Sequence, residues 1–185
     1  MASDSKIQGS VIGTKIGGYE VEALIGRGAM GSVYLARDTK LNRHVALKVL
    51  LGSLARTPSI VKQFRQEAQA AAPLHHPNIV RIYSAGMDAG TPYIAMEFVD
   101  GEPLDRFLAR KGKVSWDVAL HVGAQVAAAL DCAHRHGVVH RDVKPSNILV
   151  DKRGSVRLTD FGIARMQSGG DASAAGVVGT PQYMS

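Results

Sequence analysis

Cysteine is almost missing from this chain: Cys132 is the only one in 185 residues, so no intrachain disulfide can form. That fits a reducing compartment, and the expected location is the cytoplasm. No long apolar run is present either. The longest, Val118 to Ala133, is interrupted by His121, Gln125 and Asp131 and is too short and too polar to span a bilayer. The first ten residues, M-A-S-D-S-K-I-Q-G-S, lack the apolar core of a signal peptide. No membrane segment is therefore expected within these residues, while an anchor beyond Ser185 stays open. Runs of like charge are absent too. The 22 basic and 16 acidic side chains give a net charge of +6, but the basic ones are scattered. A solvated surface explains them better than a nucleic-acid patch, and no nucleic-acid partner is expected. The same charge suits attraction to a small polyphosphate. Internal repeats are also lacking.

What is present is an ordinary globular composition, 45% apolar and 21% charged. Residues 1–18 are rich in Gly, Ser and Lys and read as a lead-in. From Tyr19 the pattern has period two, with Tyr19, Val21, Ala23 and Ile25 alternating. A glycine-rich turn and a second strand, Ser32 to Arg37, complete a hairpin. A third strand is predicted over His44 to Leu50. Thr57-Pro58 reads as an N-cap and first helical position. The helix that follows carries Ile60, Phe64, Ala68 and Ala71 on one stripe, and Pro73 stops it. Strands over Ile79 to Ser84 and Tyr93 to Phe98 follow, with a turn at Asp88 to Gly90.

The second half changes character. A short helix is predicted over Leu104 to Lys111. A long alanine-rich one is capped by Ser115, carries Asp117 in its first turn and ends at Gly137. Trp116 at its start reads as a packing anchor. Short strands are expected at Val138-Val139, Ile148 to Val150 and Val156 to Thr159. The domain expectation is a lead-in at 1–18, a strand-rich unit at 19–100 and a mainly helical unit at 101–185.

Four motifs carry chemistry. G-R-G-A-M-G-S-V, Gly26 to Val33, sits at a hairpin tip and not between a strand and a helix, which argues against a dinucleotide-binding turn. A tip without side chains lets backbone N–H groups approach phosphates. V-A-L-K, Val45 to Lys48, puts Ala46 and Lys48 on one face of an apolar strand. An unpaired ammonium there would cost about 3–5 kcal/mol, so it needs an anion, and Glu67 on the following helix is the candidate. H-R-D-V-K-P-S-N, His140 to Asn147, gathers a carboxylate (Asp142), an ammonium (Lys144) and an amide (Asn147) in one loop. D-F-G, Asp160 to Gly162, places a carboxylate at a strand end, where it suits Mg²⁺, a hard cation that takes oxygen ligands. Cys132, His134, His136 and His140 lie close in sequence, but their spacing follows no zinc pattern.

In this order the four motifs resemble the signature set of the protein kinases, over Tyr19 to Ser185. Lys144 and the P-S-N ending resemble the serine/threonine type. The strings I-G-R-G-A-M-G-S-V-Y, M-E-F-V-D-G and D-F-G-I-A-R are similar to the bacterial, Hanks-type members. Leu47 and Val143 stand where isoleucine and leucine are common. The resemblance implies an α+β bilobal fold: a five-stranded antiparallel N-lobe with one helix, and an incomplete, mainly helical C-lobe. It implies ATP as phosphoryl donor, Mg²⁺ (with Mn²⁺ as the alternative ion), and serine or threonine hydroxyls of proteins as acceptors. Gly26, Gly28 and Gly31 would cover the ATP phosphates, Ile25, Arg27, Ala29 and Met30 would also belong to the ATP-binding site, and Val33 and Ala46 would pack on the adenine. Lys48 would hold the α- and β-phosphates and pair with Glu67. Met96 would be the gatekeeper, the backbones of Glu97 and Val99 would bond the adenine edge, and Leu149 would form its floor. Asp142 would accept the substrate's proton, Lys144 would stabilise the transferring group, and Asn147 and Asp160 would hold the metal. Thr180, in G-T-P-Q-Y, resembles the threonine that meets the catalytic aspartate. Ser168 and Ser173 are candidate phosphosites that Arg141 could pair with.

Family members continue past Y-M-S into P-E and further helices. Without them the long helix is expected to show unpartnered apolar surface, and hence self-association, and the 185-residue chain is expected to be weakly active or inactive. The competing readings are a noncatalytic ATP-binding or scaffold protein and a small-molecule phosphotransferase. H-R-D-V-K-P-S-N with G-T-P-Q-Y argues against the latter.

Overall fold

The computed structural model describes residues 11–28 and 31–161. It is an α+β chain in two compact units: residues up to Ala68 with Ile82–Phe98, and Gln69–Arg81 with the residues from Val99 onward.

The first unit is built on an antiparallel sheet. Its strands are β1 (Lys15–Ile16), β2 (Tyr19–Gly28), β3 (Gly31–Asp38), β4 (Arg43–Val49), β5 (Ile82–Asp88) and β6 (Thr91–Glu97), in the order β1-β2-β3-β4-β6-β5. The described strands thus number six where five are expected, because β1 forms inside the predicted lead-in. Val11 and Ile16 are buried there, and Gly13 N–H donates to the Val21 carbonyl at 2.8 Å. The sheet curls until its edges meet. Gly17 N–H, beside β1, donates to the Asp88 carboxylate at the end of β5, at 2.7 Å. Tyr93 fills the space beside Gly17, where a Cβ would fall 2.2 Å from its ring, and Gly17 has φ +59. Only glycine fits that position.

One sheet face, with Val21, Tyr34, Ala36, Val45, Leu47, Val49 and Ala95, forms a buried core. The opposite face receives helix α2 (Pro58–Ala71), which follows a one-turn helix α1 (Ser53–Arg56). Phe64 and Ala68 of α2 pack on Leu50 and Ile94. Full burial of a side chain such as Phe64 contributes about 1.5–3 kcal/mol. α2 begins at Pro58 as predicted, and the Thr57 carbonyl accepts its first helical bond, from Val61 N–H at 3.0 Å. The Thr57 hydroxyl donates back to the Ser53 carbonyl at 2.9 Å, closing α1.

The second unit holds α3 (Leu104–Lys111), α4 (Trp116–Arg135) and a three-stranded antiparallel sheet of β7 (Gly101–Pro103), β8 (Ile148–Asp151) and β9 (Val156–Leu158). Ser115 caps α4, its hydroxyl accepting from Val118 N–H at 3.4 Å. Ala129, Cys132 and Ala133 are buried along α4, but Trp116 is 88% exposed and Leu120 74% exposed. Trp116 is therefore not a packing anchor among the described residues. Val138-Val139 forms no strand: the Val138 N–H turns back to the Ala133 carbonyl and finishes α4. The strand expected at Ile79 to Ser84 begins later, at Ile82. The backbone of residues 78–80 is engaged by β9, with Leu158 N–H donating to the Asn78 carbonyl and Val80 N–H to the Leu158 carbonyl. β7 forms where the sequence suggests only a boundary.

Candidate active site

In the first unit the site begins with a buried ion pair. β4 is buried from Val45 to Val49, so the Lys48 ammonium cannot stay unpaired. It donates to Glu67 Oε1 at 2.9 Å, and both side chains are 10% exposed. α2 supplies the carboxylate because Glu67 shares the inward stripe with Phe64 and Ala68. Cross-strand register defines the rest of this face. Val33 lies opposite Lys48, and Ala46 opposite Met96. Facing residues on neighbouring strands point to the same side, so Val33, Ala46, Lys48 and Met96 line one surface of the sheet. Glu97 ends β6.

The glycine-rich hairpin joins β2 to β3, with Gly28 opposite Gly31. A Cβ on Gly31, at φ +123, would fall 2.2 Å from the Val49 carbonyl oxygen. Gly26 pairs with Val33, and at Gly28 nothing lies within 4 Å of an added Cβ. Ile25 is 41% exposed, and Arg27 is exposed on the same hairpin. Register shifts between Val21 and Ala23 and between Leu24 and Gly26 break the simple alternation read from the sequence. Ala29 and Met30 lie outside the described residues.

In the second unit the H-R-D-V-K-P-S-N loop folds onto itself. Pro145–Asn147 makes a 3-10 turn, and the buried Asn147 reaches back with its amide nitrogen to the Asp142 carbonyl at 2.9 Å and to Asp142 Oδ2 at 3.0 Å. Lys144 Nζ meets the same Oδ2 at 2.8 Å. One carboxylate oxygen thus receives two donors, while Oδ1 takes part in neither bond. Both bonds of Asn147 use its nitrogen, which leaves its amide oxygen as the atom that could meet a cation. Thr159 N–H donates to the Asn147 carbonyl at 3.0 Å and so brings Asp160, the next residue, beside the loop. Asp160 has φ +56 and Arg141 φ +62. Such left-handed residues cost on the order of 1 kcal/mol and persist where surroundings fix them. Leu149 is half-buried on β8, and Val99 is buried in this second unit.

His140, quoted in the motif without a role, is fixed at both ring nitrogens. Nε2 lies 3.0 Å from the Thr159 carbonyl, and Nδ1 accepts from Asp142 N–H at 3.2 Å. Burial pushes its pKa below the ordinary value, against the Thr159 carbonyl and the Asp142 and Asp160 charges, which act the other way. A neutral ring with its proton on Nε2 satisfies both bonds. Phe161 packs on the ring at 4.6 Å between centroids. The H-R-D string gave the position of His140, but its burial depends on contacts with residues 159 and 161, which a local motif does not reveal.

The donor set fits a hard divalent cation: an amide oxygen and a carboxylate in adjacent segments. Mg²⁺ needs only one or two protein ligands when phosphates and water supply the others. Ser168, Ser173 and Thr180 lie outside the described residues.

A sequence profile described as "Protein kinase domain" matches residues 19–185. The chain belongs to the protein kinase family. It is 43% identical over 178 residues to the probable serine/threonine-protein kinase CPE1738 of Clostridium perfringens, covering 96% of this chain and 26% of that protein. Against the serine/threonine-protein kinase PknB of Mycolicibacterium smegmatis the identity is 45% over 175 residues, covering 90% and 28%. The chain thus spans about a quarter of the length of the curated relatives it matches. Among solved structures, the Mycobacterium tuberculosis PknI kinase domain is similar with a TM-score of 0.72 at 36% identity, over 83% of this chain and 61% of that one. The fold of this kinase chain is therefore the bilobal α+β fold of the family, of the bacterial Hanks type. Kinases of this family use ATP and a divalent metal and act on proteins. No helix among the described residues is long and apolar enough to cross a membrane.

Proposed function

We propose that this chain carries the catalytic machinery of a serine/threonine protein kinase that transfers the γ-phosphoryl group of ATP to serine or threonine hydroxyls of proteins. The observation that carries this reading is the mutual bonding of Asp142, Lys144 and Asn147, with Asp160 delivered beside them. In the reaction the substrate hydroxyl gives its proton to the Asp142 carboxylate, its oxygen bonds to the γ-phosphorus, and the bond to the β-phosphate oxygen breaks to release ADP. Oδ1 is suited to take that proton because Oδ2 is held by Lys144 and Asn147. Lys144 carries a positive charge next to the developing negative charge. The backbone of Gly26, Gly28 and Gly31 would cover the phosphates, and Lys48, fixed by Glu67, would hold the α- and β-phosphates. Val33, Ala46 and Leu149 pack on the adenine, beside Met96, with the Glu97 and Val99 backbones on its edge.

Asn147 and Asp160 would hold Mg²⁺, with Mn²⁺ as the alternative ion, since both residues offer hard oxygen donors that suit either cation. The ion, when bound, neutralises charge on the transferring phosphate. Thr180, by the family resemblance, would meet Asp142, and Ser168 and Ser173 are candidate phosphosites that Arg141 could pair with; all three lie outside the described residues. Unchanged activity after both serines become alanine would count against that pairing. We assign the chain to the cytoplasm, where ATP is available. The apolar surface on α4 supports self-association of the 185-residue chain.

The reading is tested by offering the natural polypeptide that carries this sequence ATP with a mixture of proteins and, separately, small alcohols. Phosphate appearing on protein serine and threonine supports it. Transfer to the small alcohols alone, or ATP binding with no transfer to either, would overturn it.

A further inference from the structure

The second unit contains a polar device outside the motifs. Gln125 lies in the middle of α4, and its amide oxygen accepts two hydrogen bonds: from Asn78 Nδ2 at 2.7 Å and from Val156 N–H at 3.0 Å. Asn78 Nδ2 also donates to the Val156 carbonyl at 2.8 Å. The first residue of β9 is therefore gripped at both its N–H and its C=O by two side-chain amides. The grip continues along the strand. Leu158 N–H donates to the Asn78 carbonyl at 2.8 Å, and Val80 N–H to the Leu158 carbonyl at 2.9 Å. Thr159 N–H then donates to the Asn147 carbonyl, and Asp160 follows at φ +56. β9 has only three residues, Val156–Leu158. A shift at its start is passed directly to its end.

Gln125 makes these bonds at a cost. Its amide nitrogen is buried with no hydrogen-bond partner among the described residues. A buried amide with an idle nitrogen is unfavourable unless its oxygen is needed. Replacing it with an apolar side chain would strand two part-buried donors, Asn78 Nδ2 and the Val156 N–H, which explains an amide at a position flanked by alanines and valines.

We propose that Gln125 is a positioning residue: with Asn78 it sets β9, and hence Asp160, against the Asn147 loop, so that the divalent cation is held by two correctly spaced ligands. This rests on the reading of Asn147 and Asp160 as the metal ligands. Outer residues that orient ligands typically change metal affinity by about 10–100-fold.

The test uses the natural polypeptide that carries this sequence as wild type, Gln125→Leu and Gln125→Glu, the last keeping an acceptor oxygen at the same reach. Binding of ATP is titrated with Mg²⁺ at fixed nucleotide, and hydrogen exchange of the Val156 to Thr159 amides is followed without metal. Gln125→Leu should raise the Mg²⁺ concentration for half-maximal binding about tenfold and speed exchange in β9. Gln125→Glu should stay near wild type in both. A Mg²⁺ midpoint in Gln125→Leu equal to wild type overturns the proposal, as does an equal shift in both variants. Should Gln125→Leu fail to fold, wild-type exchange decides: protected Val156 and Leu158 amides support the grip, and exchange as fast as at the chain ends refutes it. Wild type that binds no Mg·ATP at all sinks the nucleotide reading, and this inference with it; wild-type binding with an unchanged Gln125→Leu sinks the inference alone.

Discussion

Lys48 and Glu67 are legible as a pair because a lysine in an apolar strand must find an anion, and the next helix offers one on its inward stripe. Their 2.9 Å contact at 10% exposure sets a cost for breaking it. Glu67→Ala removes the carboxylate to which the buried ammonium donates, and denaturant unfolding should show a loss of about 3–5 kcal/mol. A loss under about 1 kcal/mol would mean that the pair behaves as a surface contact. His140 could be placed from sequence but its environment could not. Its pKa lies below the ordinary 6.5 because burial disfavours the charged ring. Above about pH 6.5 both folded and unfolded states are neutral at this residue, and its contribution is fully present. As pH falls below that value the unfolded chain takes up the proton first, so stability declines until the folded pKa is passed. Unfolding free energies measured between about pH 7.5 and 5 should show this decline, and it should be smaller in His140→Asn. Asp38 and Asp151 act in a lower window. Burial raises their pKa values, but hydrogen bonds from Lys40 and Leu41 and from Arg153 and Ser155, with Arg43 and Arg157 nearby, outweigh it and leave them below 3.8. Their contribution is lost only as pH falls below that value.

At the level of elements, period and position decided what could be read. β4 was clear because an apolar run buried on both faces contains a single lysine, which must find an anion. β2 was blurred by two register shifts, which move side chains off the alternating pattern without leaving a sequence mark. The strand expected from Ile79 starts instead at Ile82, because β9 takes up the backbone of residues 78–80, a partner about eighty positions away along the chain. β1 was missed because two residues carry no period; it forms because Gly17 bonds Asp88 and yields space to Tyr93. The glycine hairpin has a sharper requirement. Gly31→Ala would place a Cβ 2.2 Å from the Val49 carbonyl at φ +123. Its melting temperature should fall by several degrees, roughly 1–3 kcal/mol, whereas Gly28→Ala, where a Cβ meets nothing, should leave it near wild type. Along α4 the exposed Trp116, Val118 and Leu120 predict self-association of the chain. Sedimentation should show concentration-dependent mass, reduced in a Trp116→Ser, Leu120→Gln double variant.

Across the whole molecule, the motifs gave the family and the candidate site residues, because each packs several polar groups of defined chemistry into a short string. They could not give the two-way anchoring of β9, which joins α4, the segment at residues 78–80 and the catalytic loop through side chains far apart in sequence. They also do not fix the length of the working protein: the chain covers 61–65% of the solved PknI kinase domains and about a quarter of the curated relatives. Phosphoryl transfer is therefore best measured on the natural polypeptide containing this sequence, using γ-labelled ATP, Mg²⁺ and a protein acceptor, with Asp142→Asn beside it. The account predicts label on serine and threonine for wild type, and a rate reduced at least about 100-fold with ATP binding retained for Asp142→Asn. Equal labelling by wild type and Asp142→Asn would contradict it.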